Sequence, residues 1–375
     1  MSKNNSRRTF IQKIAAATAG AVLAGKTGLA ASTKKDMEEL VIKSIKPLGF
    51  QWETRDPFLF CVHHEDFFPK GNDNLGPADS LEGRRIGNDF EIKNGYRMYH
   101  GTTVSGFPGH PHRGFETVTV VRKGMVDHTD SLGGSGRYGD GDVQWMTAGK
   151  GVQHAEMFPC LKKDEKNPME LFQIWLNLPR ANKFVEPNYK MLWGESIPEH
   201  IYIDANNKKT LVEIVAGKIE NDIAPNPTPN SWAADPNNEV AIWNIQMDAG
   251  ATWKLPKAST GVNRTIYFFQ GAELSINGSL IKEYHAADVK ADVEISLESG
   301  SEKSYILILQ GKPIGEPVVQ NGPFVMNTRE EIQEAFSDYQ QTGFGGWPWP
   351  SKAPVHERDQ GRFARHSDGK EEIPG

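Results

Sequence analysis

The sequence predicts an all-β protein made of two successive barrels or sandwiches. Strand-like runs recur in two series, and a proline-rich loop at 225–230 interrupts the second. Turn residues are abundant, with 37 Gly and 23 Pro in 375 residues. A helix signature occurs in one segment, starting at Thr328, so the strand–helix alternation of an α/β protein is missing. Hydrophobic residues at 38% and charged residues at 24% place the chain among ordinary globular proteins rather than disordered ones.

The first thirty residues stand apart. Ser6-Arg7-Arg8-Thr9-Phe10-Ile11 precedes an apolar run from Ile14 to Ala24, and the small residues Gly28 and Ala30 offer a cleavage site. The run is too short to span a bilayer and Lys26 ends it, so residues 1–30 read as a twin-arginine export signal. The expected location is the periplasm, with no stable membrane anchor after cleavage. Signals of this class serve proteins exported folded, which would let a metal be loaded inside the cell. The segment holds five Lys or Arg and no acid, so removing it takes the formal charge from −6 to −11. An acidic mature chain argues against nucleic acid as a partner.

From Val41 to Arg180 strands alternate with glycine-rich turns. Phe115–Val121, Asp142–Met146 and Leu171–Leu178 alternate apolar and polar residues, and Lys123-Gly124 and Gly133-Gly134-Ser135-Gly136 are turns. Two short motifs lie in this series. His110-Pro111-His112 and His154-Ala155-Glu156 each put two metal-capable side chains at i and i+2, hence on one face of a strand. Two such strands facing each other would aim three imidazoles and one carboxylate at a single point. That set suits one divalent transition metal and leaves coordination positions open. Cys61 and Cys160 are too few for a four-cysteine zinc site; two separate buried thiols are favoured over a disulfide.

The second series includes Leu211–Val215, Val240–Ile245, Thr265–Phe269, Ala272–Ile276 and Tyr305–Leu309. Thr328-Arg-Glu-Glu331 is a capping box, and Ile332, Ala335, Phe336 and Tyr339 follow as one apolar stripe. The tail Phe344-Gly-Gly-Trp-Pro-Trp-Pro350 is expected to pack as a strap on a barrel, because its Trp rings are costly to leave in water. The polar end from Ser367 is expected to fray.

Gly109-His-Pro-His-Arg-Gly-Phe-Glu-Thr-Val118, Gly141–Gly149 with Gly151-Val-Gln-His-Ala-Glu-Met157, and Gly322-Pro-Phe-Val-Met-Asn-Thr328 together resemble the pirin family of bicupins. The resemblance covers most of the mature chain. It implies two tandem cupin barrels (double-stranded β-helices), an amino-terminal one over 41–185 that binds metal and a metal-free one over 186–320. A carboxy-terminal helix and tail over 321–375 pack on them. Its implied metal ligands are His110, His112, His154 and Glu156. Thr147 and Gly149 stand where the general cupin pattern expects a proline. The stretch from 67 to 106 is longer than compact pirins need and could roof the pocket.

A site of three His and one Glu leaves positive charge on a divalent ion, which lowers the pKa of a bound hydroxyl. The resemblance implies a dioxygenase that uses O2 and a small phenolic or flavonol (quercetin-like) substrate. Fe(II) is the favoured ion, with Zn, Mn, Ni or Cu as alternatives, and Glu156 is the candidate catalytic base. The competing reading is a non-enzymatic, metal- or redox-dependent periplasmic binding protein; a monomer is favoured. Glu116 is expected to orient an imidazole, and Arg113 to pair with a carboxylate. Phe115, Trp145 and Met146 are expected in core or pocket wall. His128 with Asp130 should form a polar barrel edge. His63-His64-Glu65-Asp66 should form a solvated turn with Phe67 and Phe68 packed inward, and His356 and His366 should lie on the surface.

Overall fold

The computed structural model describes residues 41–375; the export signal read at 1–30 lies outside the described residues. Two β-barrels of cupin type pack side by side. The first is built from two six-stranded sheets. One runs, in hydrogen-bonded order, Asn188–Leu192, Val143–Thr147, Phe115–Lys123, Asn167–Asn177, Phe58–Phe68 and Gln51–Trp52. The other runs Glu371–Glu372, Phe363–Arg365, Ser135–Gly139, Met125–Asp130, Val152–Phe158 and Ser105–His112. The second barrel combines a seven-stranded sheet, from Ile42–Pro47 to Glu199–Ile203, with a four-stranded one over 252–299.

The two ends of the described chain exchange barrels. Ile42–Pro47, placed by sequence in the first barrel, pairs with His285–Lys290 of the second. Asn188–Leu192, placed in the second, pairs with Val143–Thr147 of the first. Phe363–Arg365 pairs with Ser135–Gly139, and Glu371–Glu372 extends that sheet. The end from Ser367 is therefore a paired hairpin, not a frayed terminus. Alternation marks a strand but not its partner, which is chosen by distant register. The tail histidines are partly covered too: the His366 ring stacks on Tyr189 at 4.7 Å, and His356 Nε2 lies 3.1 Å from the Gly136 carbonyl.

Alternating faces of the strand Phe115–Lys123 divide the protein. Val118 and Val120 face a shared core between the barrels, with Trp52, Phe172, Ile242, Tyr267 and Leu307. Trp52 stacks on Tyr267 at 5.2 Å across that seam. Each such fully buried side chain is worth roughly 1.5–3 kcal/mol, so the seam is a core rather than a loose contact. Trp145 belongs to this seam, whereas Met146 points into the first barrel. Cys61 and Cys160 are free, buried and in different clusters.

Glu116 shares its face with Val118 and Val120, so it points away from the imidazoles it was expected to orient. It is fully buried and accepts hydrogen bonds from Thr147 Oγ1 (2.7 Å), Thr228 Oγ1 (2.8 Å) and Ser231 Oγ (2.6 Å), the last two from the 217–239 loop of the second barrel. Burial pushes its carboxyl up to about 7, against the opposing pull of those hydroxyls.

The helix Arg329–Thr342 begins at the expected capping box, with Glu331 N donating to Thr328 Oγ1 and Thr328 N to Glu331 Oε2. Its stripe of Ile332 and Ala335, flanked by Phe336 and Tyr339, packs on Phe324 and Met326. Buried Lys183 ties this segment to the first barrel, its Nζ donating to Gly114 O, Asn177 Oδ1 and Val325 O.

The Glu116 contact predicts a pH dependence. The folded chain keeps this proton up to about pH 7, whereas an ordinary glutamate loses it near 4.5. The stabilisation is complete below about 4.5 and is lost as pH rises through 7, a swing of about 3 kcal/mol. Glu116→Gln should flatten urea-unfolding stability over that interval; an unchanged slope would assign the pH dependence to other groups.

Candidate metal centre

The strands Ser105–His112 and Val152–Phe158 pair antiparallel, with His110 opposite His154. A register irregularity between Phe107 and His110 adjusts the approach. Gly106 permits it: its φ is +132°, and a Cβ there would lie 2.3 Å from the Glu156 carbonyl oxygen. His110, His112 and His154 each offer a ring nitrogen, and the three lie within 4.8 Å of one another. The ring of His110 is 4.5 Å from that of His154 and 4.8 Å from that of His112. Glu156 shares their face, with Oε2 at 3.8 Å from His154 Nε2.

Hydrogen bonds select which nitrogens are free. His110 Nδ1 lies 3.0 Å from the Pro108 carbonyl, and His112 Nδ1 lies 3.4 Å from that of Pro323. A carbonyl only accepts, so each Nδ1 carries the hydrogen and each Nε2 keeps a bare lone pair. Burial lowers the pKa of His110 to about 4 and those of His112 and His154 well below the usual histidine range, so all three rings are neutral. Both ring nitrogens of His154 are buried without a partner. An orphaned, neutral imidazole facing two others fits a transition metal. Burial also raises the pKa of Glu156, and the Thr119 hydroxyl opposes that rise. Thr119 Oγ1 lies 3.0 Å from Glu156 Oε1 and 2.9 Å from Gln173 Oε1, so its one proton serves either.

One feature escaped sequence reading and two were read incompletely. Thr119 is the first: it lies two residues beyond Thr117 on the barrel-facing side of its strand, a parity available from Phe115 onward. The second is His128. It is fully buried and sits opposite Glu156 in the ladder, 5.8 Å ring to ring from His154, with Nε2 at 3.3 Å from Asp130 Oδ2. The His128–Asp130 pair is thus interior, not a polar edge, because the ladder sets these residues opposite Glu156 and His154 on the barrel-facing side of their strand. The third is the tail itself. Gly109 N donates to the Lys352 carbonyl, the Trp347 ring lies against Gly109, and Trp349 Nε1 donates to the Asp130 carbonyl. Gln153 Nε2 donates to the carbonyls of Gly343 and Gly346. The expected strap therefore runs along the outside of both histidine-bearing strands.

The 67–106 excursion packs Tyr96, Met98 and Tyr99 into the first barrel's core. Tyr99 stands 5.0 Å from Phe107, whose ring is 6.3 Å from that of His110. The predicted turn at 63–66 is instead the middle of an eleven-residue strand, Phe58–Phe68. His64 and Asp66 are buried, Phe68 is buried, and Phe67 is exposed. Asp66 accepts from Arg97 Nε at 2.9 Å and Tyr99 Oη at 2.6 Å. These partners come from the excursion, so the charged run was not solvated. Arg113 pairs with Asp338 at 2.8 Å, as expected, and Phe115 packs 5.0 Å from the His112 ring.

Residues 46–176 match the pirin family model, and residues 242–345 match that of the pirin C-terminal cupin domain. The chain is 35% identical over 266 residues to pirin of Rattus norvegicus, covering 68% of this chain and 84% of the relative. It is 37% identical over 239 residues to a Pseudomonas aeruginosa protein named "Putative quercetin 2,3-dioxygenase", covering 63% and 79%. A crystal structure of quercetin 2,3-dioxygenase from Acinetobacter baumannii aligns with a TM-score of 0.63 at 26% identity, over 81% of this chain and 98% of that one.

A metal that binds only the folded site raises stability, by about 2.7 kcal/mol at a hundredfold excess over its dissociation constant. Adding Fe(II) or Zn(II) to chelator-treated protein should raise Tm, and His154→Ala should abolish the rise. An equal rise in His154→Ala would place the metal elsewhere.

Proposed function

The chain belongs to the pirin family, and from that premise we propose that it is a metal-dependent dioxygenase acting on a phenolic or flavonol substrate. The observation that carries the reading is the convergence of three neutral imidazoles with Glu156 beside them inside one barrel. The names of the Pseudomonas and Acinetobacter relatives support the same reaction class.

In this reading His110, His112 and His154 hold the ion, with Glu156 as the fourth ligand. Fe(II) is the proposed ion, and Zn, Mn, Ni or Cu are compatible with the same donors. Bound there, the metal supplies Lewis acidity toward a phenolic hydroxyl and redox chemistry toward O2. Glu156 takes the hydroxyl proton on a carboxylate oxygen, and its raised pKa makes it a stronger base than an exposed glutamate. Thr119 steadies the other oxygen. The carbonyls of Pro108 and Pro323 hold two imidazoles with Nε2 presented. Phe107, Phe115 and Trp175 supply aromatic surface beside the rings, Trp175 at 5.4 Å from His112. The export signal read at 1–30 makes the periplasm the proposed compartment.

One observation favours the alternative, a metal-dependent binding protein. His112, His154 and Glu156 are buried, and the tail crosses the strand that carries His110. A closed centre suits a surface tuned by its metal more than it suits a turnover site.

Oxygen consumption separates the two. Iron-loaded protein should take up O2 in the presence of a flavonol such as quercetin. Glu156→Gln protein that retains iron should be slower by roughly 10²–10⁴-fold. No uptake across a panel of phenols and flavonols would leave the binding reading in its place.

A further inference from the structure

The seam between the barrels changes character along its length. One part is apolar, through Val118, Val120, Phe172 and Ile242. Farther along the same strand faces come Arg122, Glu170, Asn244 and Gln246, and there a cleft of about 620 Å³ opens between the barrels. Alternation fixes which way its walls face. Trp243 and Ile245 point into the second barrel's core, so Asn244 and Gln246 share the seam side with Ile242. Glu213 is turned the same way, because Val212 and Ile214 beside it are core residues.

The two walls differ in charge. On the second barrel Glu199, Glu213 and Asn244 stand directly opposite one another on three adjacent strands. Gln246, Tyr305 and Gln270 form the next row. This wall carries two carboxylates and no cation. The first barrel supplies both cations of the cleft, Arg122 and Lys123, and both are paired with Glu170. The other acids of the cleft, Glu65, Asp140, Glu199 and Glu213, form no salt bridge among the described residues. Five acids against two cations leave the cleft three charges negative.

Two further observations point to a missing cation. Glu199 and Glu213 are like charges facing each other in one ladder, which repel. Burial raises the Glu213 pKa; Arg122 and the Asn244 amide pull against that rise, while Glu199 and Glu170 add to it. Asn244 is 4% exposed, and neither atom of its amide has a partner in hydrogen-bonding geometry. A native carboxamide left unsatisfied in this way calls for a polar neighbour. The row is reachable from solvent, since Glu213 and Gln246 are half-buried and Glu199 and Gln270 are exposed.

We propose that this cleft binds a linear polyamine, its ammonium groups meeting Glu199 and Glu213 on one wall and Glu65 and Asp140 on the other. An ammonium has three donors and no acceptor, so it suits carboxylates interleaved with the amide oxygens of Asn244 and Gln246. A cleft of one sign concentrates ligands of the other. A bare metal ion fits less well: among the described residues, the group whose ligand atoms converge on one ion is the histidine cluster. The cleft is separate from that cluster and does not depend on the reaction assigned there.

The test uses spermidine, putrescine, propylamine and magnesium as probes on metal-loaded protein at constant ionic strength, read by calorimetry and thermal shift. Spermidine should bind saturably at one site and putrescine less tightly. Propylamine should be weaker than spermidine by roughly tenfold or more, because it makes fewer charged hydrogen bonds. Glu213→Gln should weaken spermidine by roughly tenfold or more for the same reason. Glu199→Gln, at an exposed position that folding does not depend on, should weaken it in the same direction. Glu298→Gln removes one charge from the exposed side of the four-stranded sheet and should leave the affinity unchanged. Absence of saturable spermidine binding overturns the proposal. So does magnesium binding as tightly as spermidine, which would mean general screening of an acidic protein. Spermidine affinity that survives both Glu213→Gln and Glu199→Gln, or that falls equally in Glu298→Gln, also overturns it.

Discussion

The register between Ser105–His112 and Val152–Phe158 governs the first barrel. It sets His110 opposite His154 and puts Pro111 against Gln153 on the other face. A slip of one residue would turn the imidazoles outward and bring Pro111 and Gln153 in. The same alternation gives the outer face its own task, because Gln153 there holds two carbonyls of the tail. The histidine-bearing face and the strap are thus two sides of one ladder, and neither can move by one residue without the other.

The strand Phe115–Lys123 separates the two kinds of interior in a similar way. Toward the first barrel it presents Phe115 beside His112 and Thr119 beside Glu156. Toward the second it presents Val118, Val120 and the buried Glu116. The two barrels share a strand order and differ in what they bury. The first keeps neutral imidazoles and a carboxylate inside; the second keeps an apolar core with Arg264 at one end.

Most of the architecture was legible because its causes are local. Period-two alternation marked the strands, Thr328 and Glu331 marked the helix start, and the i, i+2 spacing of histidines put His110 and His112 on one face. The parts that were not legible depend on partners far away in the chain. His64 and Asp66 looked solvated because Arg97 and Tyr99, which satisfy Asp66, lie some thirty residues on. Glu116 carried the right residue type for an imidazole's partner, yet strand parity turned it toward Thr228 and Ser231. His128 was set aside as an edge residue because His110, His112, His154 and Glu156 already completed a site, and the ladder that sets it opposite Glu156 is not written in its own neighbourhood. Composition has no means of signalling contacts of that range.

The exchange of chain ends bears on how the molecule is made. Ile42–Pro47 emerges early in synthesis and must wait for His285–Lys290 before its ladder can form, and Ser135–Gly139 must wait for Phe363–Arg365. The second barrel is therefore incomplete until Ser304–Gly311 has been made, and the first until Phe363–Arg365 has. Pairings this far apart in sequence make for slow assembly with exposed strand edges along the way. The finished molecule is a single interlocked unit in which neither half can be cut free with its sheet intact.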